Sequence, residues 1–420
     1  MKRYFLPLIA VALLFPSLSL SAQNYDGYYK DVYMDGGLDL SSRKDLPVTR
    51  SLGLSLEILR TAKDKEATIM DTLQQNHAFI GSENDSNGWL LYPDGAPRFK
   101  MLYVNGGSGG GHGRSITEPG RANIRAYVKA GGSYLGSCAG AYVATTGTHK
   151  RIHDEYIGIY PSICTNAGLA DTYVAVTIPE NSPALKYCDF DGERFIDSVY
   201  HNGGCYMDYN DMIPGCEALF DYYYEPKSMH GNAAVWAWKE NENTGRVICC
   251  GPHPEGAITG KKLEMMVAMT MYAIDGNGKP RVKAELVNYQ PRNMVCTTEE
   301  TNPDYTRIGD RQYHHFYVNV PENTDTLRIS LKPVLGYDDY DLHLFADSEG
   351  LAFQKNAKYK NVKNGIDKVL TVIRPKAGKL YVSVFCDTTV DTVTSPVYGT
   401  QYIGRLDVLN GVPYVIEVQY

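Results

Sequence analysis

Gly136-Ser137-Cys138-Ala139-Gly140 stands between a short strand-like stretch, Ser133 to Gly136, and a helix-compatible run from Ala141 onward. A Gly-x-Cys-x-Gly turn in that context is a nucleophile elbow. Its glycines permit a sharp turn and keep side chains off the approach to the sulfur. The helix that follows favours the thiolate, the reactive form of cysteine. The Ala139 N–H points where an oxyanion would form, and Gly106-Gly107, after the strand Met101 to Val104, is the expected source of a second donor. A third element, Gly251-Pro252-His253-Pro254-Glu255-Gly256, ends another strand-like run. Histidine is the natural base for a thiol, and an acid two residues on can orient the imidazole. The catalytic set expected is therefore Cys138, His253 and Glu255. His112 and His201 are rival bases, read as cleft-lining or substrate-binding residues instead.

Each element has a plainer reading by itself: a structural turn, a core histidine, a solvated acid. Their joint placement at strand ends is what makes the pattern specific. The glycine-rich run Asn105 to Gly113 does not read as a nucleotide site. Gly111 is followed by His112-Gly113 rather than the Lys-Ser/Thr of a phosphate-binding loop, and no Gly-x-Gly-x-x-Gly register fits.

The elements that must position these residues alternate. Residues 31–35 and 101–104 read as strands, 47–59 as helical, 120–130 as a helix stopped by Gly131-Gly132, and 133–136 as a further strand. Such alternation predicts a parallel sheet with helices on both faces. Strands at 173–178, 233–239 and 246–251 look antiparallel, the last two joined by a hairpin loop at 240–245. Leu263, Met266, Val267, Met271 and Ile274 repeat at helical spacing, a core stripe rather than a cofactor box. Residues 281–310 are polar and turn-rich and read as a linker. From 311 to 420 the pattern turns to period two without helices, which predicts a small antiparallel β-sandwich.

The chain has 420 residues, enough for two domains, with 43% hydrophobic and 21% charged residues, an ordinary globular composition. Its net charge of −7 argues against a nucleic-acid partner, which needs a basic face. Lys2 and Arg3, an apolar run from Phe5 to Phe15 and small residues up to Ala22 form a secretory signal over residues 1–22, too short for a membrane span. The expected location is periplasmic, extracellular or at the cell surface. In an exported chain, the eight cysteines other than Cys138 favour some disulfide pairing, although adjacent Cys249 and Cys250 face opposite ways on a strand. No spacing suits a structural zinc, and neither metal nor other cofactor is expected. Asp338, Asp339 and Asp341 read as a polar turn rather than a calcium site.

The elbow with its distant His-x-Glu resembles the class I glutamine amidotransferases. Within them it is similar to the N-terminal amidotransferase-like domain of biotin–protein ligases and its standalone bacterial forms. The matching stretches are Gly132-Ser-Tyr-Leu-Gly-Ser-Cys-Ala-Gly-Ala-Tyr142, Tyr200-His-Asn-Gly-Gly204 and Gly245-Arg-Val-Ile-Cys-Cys-Gly-Pro-His-Pro-Glu255. The resemblance implies a flavodoxin-like α/β domain over residues 25–280, with Cys138 as nucleophile, His253 as base and Glu255 as its partner. It implies that Tyr200, His201 and Asn202 lie by the cleft, where they join His112 as substrate-binding candidates. No ligase or synthetase segment is recognisable after it, so the fold is better supported than glutamine as substrate. Residues 311–420 resemble the pre-peptidase C-terminal β-sandwich through Leu327 to Leu331, Asp339 to Phe345 and Ala377 to Val384. The expected function is an exported cysteine hydrolase of an amide or peptide bond, on a small molecule or a cell-envelope substrate. The competing expectation is a catalytically inactive binding or scaffold protein of the envelope.

Overall fold

Strand β1, Lys30–Gly36, is buried from Asp31 onward, and its side chains divide between two cores: Tyr33 on one face, Val32 and Met34 on the other. That two-sided burial is the mark of a central parallel strand. In the computed structural model, which describes residues 27–420 except 42, 61–68, 150, 226, 299–301 and 397–398, β1 pairs in parallel with β2 (Leu56–Arg60) and β3 (Phe99–Val104). The parallel run continues through β4 (Ser133–Ser137) to β9 (Val247–Cys250). Beyond β9 the sheet turns antiparallel, through β8 (Ala233–Trp238), β7 (Glu217–Tyr223), β5 (Thr172–Thr177) and β6 (Phe195–His201). The secretory signal expected at 1–22 lies outside the described residues.

Helices cover both faces. Helix α1 (Pro47–Leu52) and the long α6 (Gly260–Ile274) bury Val48, Met265, Met266, Met269 and Ala273 in one core. Helices α2 (Ile69–Phe79), α4 (Thr117–Lys129) and α5 (Ala139–Ala144) bury Phe79, Ile124, Tyr127 and Ala141 in the other. The methionine stripe of α6 is therefore core. Cys249 and Cys250 enter opposite cores, as strand alternation requires.

Helix α1 is shorter than its sequence pattern. Gly53, left-handed at φ 65°, closes it, and Leu56–Arg60 becomes a strand instead. Tertiary pairing with β1 outweighs the helical period of that stretch.

The chain ends in two facing sheets. One orders the strands Val282–Glu285, Tyr313–Val320, Gly378–Cys386, Leu342–Asp347 and Tyr359–Asn361; the other orders Arg292–Met294, Tyr414–Gln419, Thr326–Pro333 and Lys368–Ile373. Two corrections follow. Residues 281–310, expected as a linker, supply a strand to each sheet, and the first of these pairs in parallel with Tyr313–Val320 within an otherwise antiparallel sandwich. The sandwich also sends back a hairpin, Asp391–Ser395 and Gly399–Ile403, which meets β2 at Leu59 opposite Gly399 and covers that sheet edge. Arg98, 1% exposed, locks the junction by donating to Asp310 at 2.9 Å and to Asp85 at 3.3 Å.

All nine cysteines are free thiols, so the expected disulfides are absent. Most are buried in cores that already hold them without a cross-link. No helix among the described residues is long and apolar enough to cross a membrane.

Candidate active site

The elbow is tight because its glycines meet other backbone. A Cβ at Gly136 would lie 2.4 Å from the Gly140 carbonyl carbon, and one at Gly140 would lie 2.3 Å from the Val104 carbonyl oxygen. Between them Cys138 adopts φ 48° and ψ −103°, a conformation that costs a non-glycine residue about 1–3 kcal/mol and is typical of functional turns. Its N–H donates to the Cys250 carbonyl at 2.8 Å, which ties the elbow to β9, and its thiol donates to the Asn202 carbonyl at 3.5 Å.

His253 arrives from the segment after β9. Its backbone N–H donates to the Tyr200 carbonyl at 2.7 Å, and its Nδ1–H donates to Glu255 Oε1 at 3.0 Å. Burial opposes protonation of the ring, but interactions with Cys138 and with the Glu255 carboxylate outweigh it and raise the imidazole from 6.5 to about 10. The ring beside the sulfur is thus a strong proton acceptor. Glu255 is 6% exposed and is kept in place below the ring.

Gly106 and Gly107 lie on the opposite wall. The Gly106 carbonyl accepts from the Ser41 N–H at 2.8 Å, and a Cβ at Gly106 would lie 2.4 Å from His253 Cε1. A Cβ at Gly107 would lie 2.2 Å from the Asp39 carbonyl oxygen. Neither the Gly107 N–H nor the Ala139 N–H has an acceptor among the described residues, so both remain available to a ligand oxygen.

Cys138, His253, Glu255, Gly107, Tyr200 and Asn202 border one cavity of about 490 Å³. Tyr200 sets its ring 5.7 Å from that of His253 and donates its hydroxyl to Asp171 at 3.2 Å. Two candidates lie elsewhere. His112 is fully buried beneath the glycine loop, with Nε2 3.0 Å from Asp35 and Nδ1 3.3 Å from the Leu38 carbonyl. His201 is also fully buried, edge-on to Tyr222 at 5.6 Å, and burial followed by the His253 charge lowers its pKa to about 4. Neither lines the cavity, because His112 turns into the core from helix α3 (Gly109–Ser115) and His201 does so from the end of β6.

Two lining residues carried no sequence signal: Ser41 and Arg43, from the loop after β1. Nothing in a Ser-Ser-Arg-Lys run distinguishes a cleft cation from a solvated one. The Arg43 guanidinium donates, among the described residues, only to backbone carbonyls, Asp45 at 3.4 Å and Glu255 at 3.5 Å. Among the described residues, no cluster of three or more His, Cys, Asp or Glu side chains suited to a metal ion occurs.

Comparison with known proteins gives the site a setting. An uncharacterized protein of Chlamydia muridarum is 27% identical over 165 residues, which cover 37% of this chain and 60% of that protein. A glutamine amidotransferase crystal structure is 13% identical with a TM-score of 0.36, over 58% of this chain and 98% of that one. A ThuA-like protein from Bacteroides uniformis is 14% identical with a TM-score of 0.36, over 60% and 96%. The pre-peptidase C-terminal domain of a Bacillus anthracis collagenase is 13% identical with a TM-score of 0.19, over 34% of this chain and 100% of that one. A family model described as the N-terminal part of biotin-protein ligase matches residues 89–160. The stretch that holds β3, the glycine-rich run, β4 and the Cys138 elbow is thus the part of this chain that matches the biotin-protein ligase N-terminal model.

Proposed function

We propose that this chain is an exported cysteine hydrolase that cleaves an amide or peptide bond. The reading is carried by one observation: Cys138 and His253, itself bonded to Glu255, share one cavity. In this scheme the Cys138 thiol passes its proton to His253 as the sulfur attacks the carbonyl carbon, and the developing oxyanion accepts hydrogen bonds from the Gly107 and Ala139 N–H groups. His253 gives its proton to the leaving amine. Water then attacks the thioester while His253 takes its proton and returns it to the departing sulfur, and the acid is released with the thiol restored. Glu255 keeps the ring oriented throughout. The export segment and the accompanying β-sandwich support action on extracytoplasmic material.

The test is alkylation of the mature chain with iodoacetamide near neutral pH, read by peptide mass spectrometry, with Cys138→Ala as control. Preferential modification of Cys138, and loss of amide hydrolysis in the variant, are expected. A Cys138 no more reactive than the buried thiols, in a folded protein, would return the site to a scaffold role.

A further inference from the structure

The sulfur opens onto two cavities. The first, about 490 Å³, holds His253, Ser41 and Arg43. The second, about 290 Å³, is lined by Tyr142, Tyr156, Thr148, His149 and Asn166, and contains neither His253 nor Arg43. Gly107, Cys138 and Asn202 belong to both, so a substrate bound across the sulfur has one half in each.

Chemistry assigns the halves. The proton from the imidazole must reach the leaving nitrogen, so the amine side of the scissile bond lies in the cavity that holds His253. The acyl side then lies by Tyr142 and Tyr156. The amine-side cavity is large for ammonia, and it contains a guanidinium with no carboxylate partner among the described residues. Glu255, the acid lining the same cavity, is engaged with His253 through Oε1 and offers Arg43 only its backbone carbonyl, while the Asp45 carboxylate accepts from Arg50. An arginine fork with most of its donors unspent is matched in geometry and charge by a carboxylate.

We infer that the leaving group is an amine bearing a carboxylate, as the last residue of a peptide is, held by Arg43 on the His253 side of Cys138. The inference rests on the hydrolase reading above and narrows it to release of C-terminal amino acids. The reaction balances as one amide and one water giving one carboxylic acid and one free amine. The C–N bond of the amide breaks; its acyl group forms the thioester and then takes the water oxygen. The amine that departs carries the carboxylate, and His253 supplies and recovers the proton.

The experiment offers the mature chain two N-acetylated peptide libraries of the same random composition, one with free C-terminal carboxylates and one amidated, and reads the products by mass spectrometry. Loss of single C-terminal residues from the free library alone is expected. R43Q should lower kcat/KM for these peptides roughly 10- to 100-fold, the loss of a charge-assisted pair, with R43K retaining part of it. Equal cleavage of amidated peptides, or an R43Q variant as active as the parent, would overturn the inference and leave the hydrolase standing. Absence of cleavage in both libraries, with Cys138 still alkylated by iodoacetamide, would overturn it as well. A Cys138 inert to iodoacetamide would instead sink the hydrolase reading beneath it.

Discussion

Gly106 and His253 meet so closely that a methyl group on the glycine would sit 2.4 Å from the imidazole Cε1. The loop after β3 thus fixes the ring that faces the sulfur, and the same loop presents the Gly107 N–H. Gly106→Ala should displace His253 while leaving the sheet intact. A misplacement near 1 Å costs on the order of 100-fold in rate. The expected result is a loss of that order in Cys138 alkylation, with an unchanged circular dichroism spectrum. Wild-type reactivity in this variant would show that the loop and the ring move independently.

Folding raises His253 from 6.5 to about 10, so the folded chain holds this proton more tightly than the unfolded one. The associated stability is complete below about pH 6.5 and fades as pH rises through about 10. In a His253→Gln variant the deficit in melting temperature should be greatest below about pH 6.5 and shrink steadily as pH rises toward about 10. Glu255→Gln keeps an acceptor for the ring but removes its negative charge, so the His253 NMR titration midpoint should move downward. An unmoved midpoint would assign the shift to Cys138 alone.

Two histidines shift the other way. Burial, followed by neighbouring charge, takes His201 to about 4 and His315 to about 3. Each is neutral in the folded chain and readily protonated once unfolded, so stability is full above about pH 6.5 and drains as pH falls toward those values. Urea midpoints should decline over that range. His201→Gln should flatten part of the decline, and an unchanged slope would exclude His201 as its source.

Arg98 joins the α/β domain to the sandwich through Asp310 while Tyr29 stacks 4.7 Å from its guanidinium. Removing one member of a buried ion pair strands the other charge, at a cost of about 3–5 kcal/mol. Arg98→Met should therefore lower the denaturation free energy by that amount. A loss below about 1 kcal/mol would place the junction's strength in the hairpin 391–403 instead.

Local patterning was enough to reveal the elbow, the His-x-Glu segment and the period-two sandwich strands. Each of these rests on short-range rules: glycine at positions where Cβ would strike backbone, a strand handing over to a helix, side chains alternating across a sheet. The same rules misread residues 47–59 as one helix and 281–310 as a linker. Those segments gain their strands only from partners far away in sequence, β1 for the first and the two sandwich sheets for the second.

The amino-acid order by itself thus determined which side chains had the chemistry: a thiol at a turn, and an imidazole with an acid two residues on. It did not determine which histidines point inward, because His112, His201 and His253 all lie in or near turn-rich stretches beside strands and only their surroundings in the fold separate them. Tertiary structure made that decision by burying the first two rings and leaving the third against the sulfur. It also brought Arg43 into the cleft from a loop with no signature, since a cation's partner is set by the surface it folds against rather than by its neighbours in the chain.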